Sequence, residues 1–181
     1  MKAICVNASA ATGTPAFALA PDSAVITRGN PWFMPSDGQS DEWRAILMAA
    51  AVIDRLGKHI PEKFVSRYYS DITIAAHPHN PSVAHDTVWI RDGAIVRGED
   101  IESTVLDGTV GITCQGNDYA FDGAQLRRTL DAAVVIASEY MTLRTGDMVM
   151  APLALPAVPL AERVDFEVAI GGKRILRFKT R

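Results

Sequence analysis

Residues 45–53, Ala-Ile-Leu-Met-Ala-Ala-Ala-Val-Ile, carry no polar side chain. A segment without a polar face must be covered on all sides, so it marks an element in the middle of a packed core. It is far shorter than the ~20 apolar residues that cross a bilayer. The next apolar run, residues 132–137, is shorter still. Periodicity cannot separate a buried strand from a buried helix at this length. Intrinsic propensity, with four alanines, a leucine and a methionine in the run, leans towards helix.

The rest of the chain argues for strands. Its 181 residues include 13 Gly and 10 Pro, a density of breakers that suits short strands and turns better than a helical bundle. The length is that of a single domain, expected over residues 1–181, with a core large enough to need no staples. The net charge of −3 comes without a run of Lys or Arg, so no nucleic-acid footprint is expected. Met1-Lys2-Ala3-Ile4-Cys5-Val6 lacks the apolar stretch of a signal peptide. A cytoplasmic location without membrane association is therefore expected. Cys5 and Cys114 sit in apolar, strand-like runs, where cysteine acts as a small buried hydrophobe rather than a disulfide partner.

Alternation and turn chemistry place strands at residues 3–6, 17–19, 71–76, 109–114, 149–150 and 164–170. Gly171-Gly172 turns the last of these into 174–179. A short strand is expected at 32–34, between Pro31 and Pro35. Residues 7–15, 36–40 and 77–85 read as loops, the last because it holds Pro78, Asn80 and Pro81. Gln115-Gly116-Asn117-Asp118 has turn chemistry. Pro61-Glu62 opens a short helix that runs to about Tyr68. The clearest helix spans 123–140: Asp122 caps it, and Leu126, Leu130, Val134 and Ala137 recur at three and four residues.

Several segments, in order, resemble the catalytic domain of the fumarylacetoacetate hydrolase superfamily. The first strand resembles the family's opening strand. Ala18-Leu19-Ala20-Pro21-Asp22-Ser23-Ala24-Val25 is similar to its F-L-K-P-D-S-A-L. Residues 50–60, Ala-Ala-Val-Ile-Asp-Arg-Leu-Gly-Lys-His-Ile, resemble A-V-V-I-G-R-x-G-K-x-I. Residues 140–149, Tyr-Met-Thr-Leu-Arg-Thr-Gly-Asp-Met-Val, resemble F-x-T-L-x-P-G-D-x-I, and residues 164–178 resemble the final hairpin. The resemblance implies an α+β, predominantly β fold, a β-roll with a few helices, commonly a homodimer. It also turns residues 45–53 from helix to strand.

The resemblance further implies a metal site, from which this chain departs. Family members hold Mg²⁺, Mn²⁺ or Ca²⁺ with carboxylates, because hard cations need several oxygen ligands. Two come from an E-x-E whose positions are Ile46 and Met48 here. The third, an aspartate, is His77, preceded by Ala76 in place of asparagine. The family's H-A-x-E loop has no counterpart, since residues 7–14 hold neither His nor Glu. Its lysine is Ala20, and its T-G-T-P is Ala151-Pro152-Leu153-Ala154. Asp41 and Glu42 reach the ligand positions only through a shift of several residues. No metal ligand and no cofactor-binding residue is therefore expected, with a dry apolar plug around Ile46 and Met48.

What remains is His77-Pro78-His79 with His85-Asp86. As chemistry this is a rebuilt site, able to take a borderline metal such as Zn²⁺ or to use a neutral histidine as general base. The spacing matches no strong metal signature, and the plainer reading is a solvated loop. Asp54-Arg55 reads as a surface pair, Gln115, Asn117 and Asp118 as turn formers, and Trp32, Trp43 and Trp89 as core or dimer anchors.

Three functions follow. The first is a non-catalytic descendant of the family, a binding or structural subunit and homodimer without cofactor. The second is a small oxo-acid hydrolase, decarboxylase or tautomerase with a remodelled site using His77, His79, His85 and Asp86. The third is an unrelated β-barrel binding module, which a different strand order would favour.

Overall fold

The computed structural model describes residues 1–7, 16–27, 29–35, 42–82 and 91–181. Its larger sheet runs, in spatial order, β2 (Ala16–Pro21), β1 (Lys2–Asn7), β10 (Met148–Pro152), β4 (Arg44–Val52), β5 (Asp71–His79), β6 (Ile95–Arg97) and β3 (Val25–Ile26). Two short strands, β7 (Ile101–Glu102) and β11 (Val158–Pro159), pair with β5 and β4. The outer strands β2 and β3 are one stretch of chain, interrupted only by a 3-10 turn at Asp22–Ala24. The first and last members of the sheet are thus joined through the backbone, and the sheet curls into a nearly closed barrel. A second, antiparallel sheet runs β13 (Lys173–Lys179), β12 (Asp165–Ile170), β8 (Thr109–Cys114), β9 (Asn117–Asp122).

Strand alternation sorts the side chains into two cores. Ala3 and Cys5 of β1, Met48 and Ala50 of β4, and Met148 and Met150 of β10 share the barrel interior with Ala75 and Ile95. Small and unbranched side chains suit so narrow a space. Ile4, Leu47, Ala49, Ile72, Ile74 and Val149 point the other way. There they meet Leu130, Val134 and Ala137 of helix α1 (Gly123–Tyr140), and the stacked Phe166 and Phe178 of the second sheet, whose ring centroids are 5.0 Å apart. Residues 45–53 therefore need no polar side chain, because β4 is buried on both faces. Two-sided burial between β10 and β5 overrides the helical propensity of its alanines.

Helix α1 has its expected bounds and cap: Asp122 Oδ1 accepts from the backbone N–H of Ala124 at 2.9 Å and of Gln125 at 3.4 Å. Four local expectations need correction. His77-Pro78-His79 is not loop but the end of β5, paired in register with Ile46, Ala45 and Arg44. Among the described residues the pairing of β5 with β6 stops at Ala76, so no described strand calls on an N–H at Pro78 from that side. The turn at 115–118 is tighter than expected. Gln115 (φ 47°) and Gly116 (φ 79°) make it alone, and the chain re-enters a strand at Asn117. Residues 32–34 form only a single bridge, Trp32 to Thr180. The short helix is a 3-10 helix over Glu62–Arg67. Of the expected loop at 7–15, Asn7 is instead the end of β1; the rest of it and the loop at 36–40, together with His85, Asp86 and Trp89, lie outside the described residues.

Candidate functional site

The three positions where oxygen donors were sought converge. Ile46 is the register partner of His77, and Met48 that of Ala75, so Ile46, Met48 and His77 share one face of the β4–β5 ladder. All three line one cleft of about 300 Å³, completed by Cys5 of β1 and Ala16, Phe17 and Ala18 of β2, with Asn7 and Pro152 at the strand ends. Met48 is buried and Ile46 half-buried. The expected apolar plug is thus corrected to an apolar wall: space remains in front of it.

His77 is 1% exposed, and its Nδ1 lies 2.8 Å from the Ala94 carbonyl oxygen. A carbonyl only accepts, so Nδ1 carries the proton, and the neutral ring then has its basic lone pair at Nε2. His79 lies two residues further along the same face, with its ring centroid 5.9 Å from that of His77 and the planes tilted by 37°. It does not line the cleft. His85 and Asp86, the rest of that cluster, lie outside the described residues. Among the described residues no three His, Cys, Asp or Glu side chains gather as a metal site would require. Glu42 precedes β4, is exposed, and accepts a hydrogen bond from Ser82 Oγ. It does not line the cleft.

Among the described residues no Lys, Arg, Asp or Glu lines the cleft. Burial pushes the Cys5 thiol up to about 11, so it stays a neutral thiol at physiological pH. Cys5 and Ala18 were not singled out from the sequence. They are direct register partners between β1 and β2, and alternation from the interior-facing Ala3 and Ala20 would have found them.

The other polar residues serve the scaffold. Gln115 bridges its turn to β12, accepting from Glu167 N at 2.9 Å and donating to Asp165 O at 3.2 Å. A polar cleft of about 460 Å³ lies beside it, but its Arg174 and Glu167 pair with one another at 3.2 Å. Asp54 and Arg55 are exposed, and Asp54 accepts from Ser70 Oγ. Trp32 and Trp43 are buried, in an edge-to-face pair at 5.3 Å. No helix among the described residues is long and apolar enough to cross a membrane.

No protein-family model matches this chain, and no curated protein matches it. Solved structures do. A 2-hydroxyhepta-2,4-diene-1,7-dioate isomerase from Mycobacterium marinum superposes with a TM-score of 0.81 at 19% identity, covering 99% of this chain and 73% of that one. A Yersinia pestis CO92 protein, provisionally assigned to the fumarylacetoacetate hydrolase family, gives 0.79 at 16%, covering 99% and 93%. A fumarylpyruvate hydrolase from Pseudomonas aeruginosa, in complex with Mn²⁺ and pyruvate, gives 0.76 at 16%, covering 99% and 89%. At such identities the fold is what is shared, and it is the fumarylacetoacetate hydrolase fold that the ordered motifs led us to expect. The unrelated barrel drops out.

Proposed function

We propose that this chain is a metal-independent version of the fold, serving as a binding or structural subunit, homodimeric and cytoplasmic. The observation that carries the reading is the shared face of Ile46, Met48 and His77 in one cleft. One structural neighbour is in complex with Mn²⁺ and pyruvate. A hard cation of that kind needs several oxygens around it. The face on which the family resemblance would put those oxygens carries a hydrocarbon, a thioether and one imidazole. These side chains do not fit such a cation.

The test is thermal melting with millimolar Mg²⁺, Mn²⁺ or Ca²⁺, combined with Mn²⁺ broadening of the Met48 methyl resonance. The expected result is no shift in melting and no broadening. A saturable rise in melting temperature with selective broadening of Met48 would overturn the reading. Light scattering in solution checks the homodimer.

One observation favours a second reading, a small oxo-acid hydrolase, decarboxylase or tautomerase. His77 places a basic nitrogen within the cleft wall, oriented by the Ala94 carbonyl. Turnover of acylpyruvate-like substrates, abolished by His77→Ala, would support it, and silence across such a panel would remove it.

A further inference from the structure

We infer that the cleft beside Ile46 and Met48 takes a neutral, mainly apolar molecule the size of one aromatic ring, and rejects the carboxylate form of the same molecule. The inference deepens the metal-independent reading above and rests on it. Ile46, Met48, Cys5 and Ala18 present only hydrocarbon and sulfur, with the neutral polar side chain of Asn7 at the end of β1. Among the described residues none of the lining side chains is a Lys or Arg that could neutralise an anion. The one cation on β1, Lys2, is at the far end of that strand from Asn7, held by Asp147 and the Thr142 carbonyl. Arg44 and Arg91 do not line the cleft. Residues 8–15, which follow Asn7, contain no ionisable side chain.

A carboxylate entering this space would leave water without a partner of opposite charge, which is strongly unfavourable. A neutral ring meets no such obstacle. Apolar cavities of about 150 Å³ take up benzene, and this cleft measures about 300 Å³, leaving room for one small polar substituent. Thioether and thiol sulfurs make favourable contacts with aromatic rings. The polar substituent then has Asn7 at the end of β1 to bond with, the pattern of a small-molecule site with few placed polar groups.

Benzamide and benzoate test this directly, because they are nearly isosteric and differ in charge. Binding is read by saturation-transfer NMR and calorimetry on the full chain, at a mildly alkaline pH where imidazoles are neutral. Benzamide is expected to bind, and benzoate to bind more weakly by roughly tenfold or more. Ile46→Lys places a cation at a half-buried position from which it can reach water, and reverses the preference. Ala18→Phe fills the cleft and abolishes binding of benzamide with the melting transition retained, so the test survives if Ile46→Lys fails to fold. Equal or tighter binding of benzoate to the wild-type chain, or no binding of benzamide at millimolar concentration, would overturn the inference. Neither outcome touches the metal-independent reading, which stands or falls on Mn²⁺. Conversely, a Mn²⁺ site in the cleft would remove that reading even if metal-free protein still preferred benzamide.

Discussion

Ile46 stands directly opposite His77 across the β4–β5 ladder, with Met48 two residues along the same face. If these are the positions where other chains of this fold place oxygen donors, carboxylates restored there will bind a hard cation. The triple variant Ile46→Glu, Met48→Glu, His77→Asp is expected to melt well below the wild type without metal, because buried like charges repel and lack partners. The cost is roughly 3 kcal/mol or more. Millimolar Mn²⁺ is expected to restore most of it, and EDTA to remove it again. A variant destabilised to the same degree with and without Mn²⁺ would show that the three positions do not form a common coordination sphere.

The sequence carried the outline of this site further than its boundaries. The E-x-E register placed Ile46 and Met48 on a strand although their neighbours favour helix, since a match to ordered motifs carries long-range pairing that propensity does not. The extent of β5 was lost because Pro78 signals a break, and only the position of β6 shows that no described strand requires its N–H. The cleft itself was illegible: it depends on how tightly the alanines and methionines of the barrel interior fill space. That is a property of volume, not of spacing. His85 belongs to the cluster by sequence proximity alone, and nothing local decides whether it faces His77.

Stability above neutral pH should report the two thiols. Burial pushes both Cys5 and Cys114 from 9.0 up to about 11. The unfolded chain therefore loses these protons as pH passes 9.0, while the folded chain keeps them until about 11. In that window the unfolded state binds fewer protons, so stability falls as pH rises. Tyr69, desolvated and donating to Asp131 Oδ1 at 2.7 Å, is raised as well and acts in the same direction. Urea midpoints across this range should decline, and less steeply in a Cys5→Ala, Cys114→Ala double variant. The thiol reagent of Ellman should react with both only on unfolding. An unchanged slope in the double variant would place the alkaline loss elsewhere.

Gly123 opens α1 where the helix start presses on the chain before β8. A Cβ built there would lie 2.3 Å from the Gly108 carbonyl oxygen and 2.4 Å from that of Leu106. These are backbone atoms, and Gly123 N–H donates to the same Gly108 oxygen at 3.0 Å. Alanine, ordinarily the better helix former by up to about 1 kcal/mol, should here destabilise by roughly 1–3 kcal/mol because the strand must move. Removing the cap with Asp122→Ala costs about 1 kcal/mol. Denaturant midpoints should therefore rank Gly123→Ala at or below Asp122→Ala. A stabilised Gly123→Ala variant would mean that the contact relaxes freely.

Asp147 joins the starts of two parallel strands from a buried position. Its Oδ1 accepts from the Lys2 backbone N–H at 3.0 Å, and its Oδ2 accepts from Arg144 N–H at 2.8 Å and from the Lys2 ammonium. This clamp sets the register in which Ala3 pairs with Met148 and Cys5 with Met150, and so the alignment of the barrel interior. The ammonium is the lesser part, because the Lys2 side chain is 30% exposed, against 3% for Asp147, and exposed ion pairs contribute up to about 1 kcal/mol. The two backbone donors are the greater part, since they are left unsatisfied when the carboxylate goes. Asp147→Ala is thus expected to cost roughly 3 kcal/mol and Lys2→Ala less than about 1 kcal/mol, read from urea midpoints at constant slope. Equal losses in the two variants would make the clamp ionic and leave the backbone donors without weight.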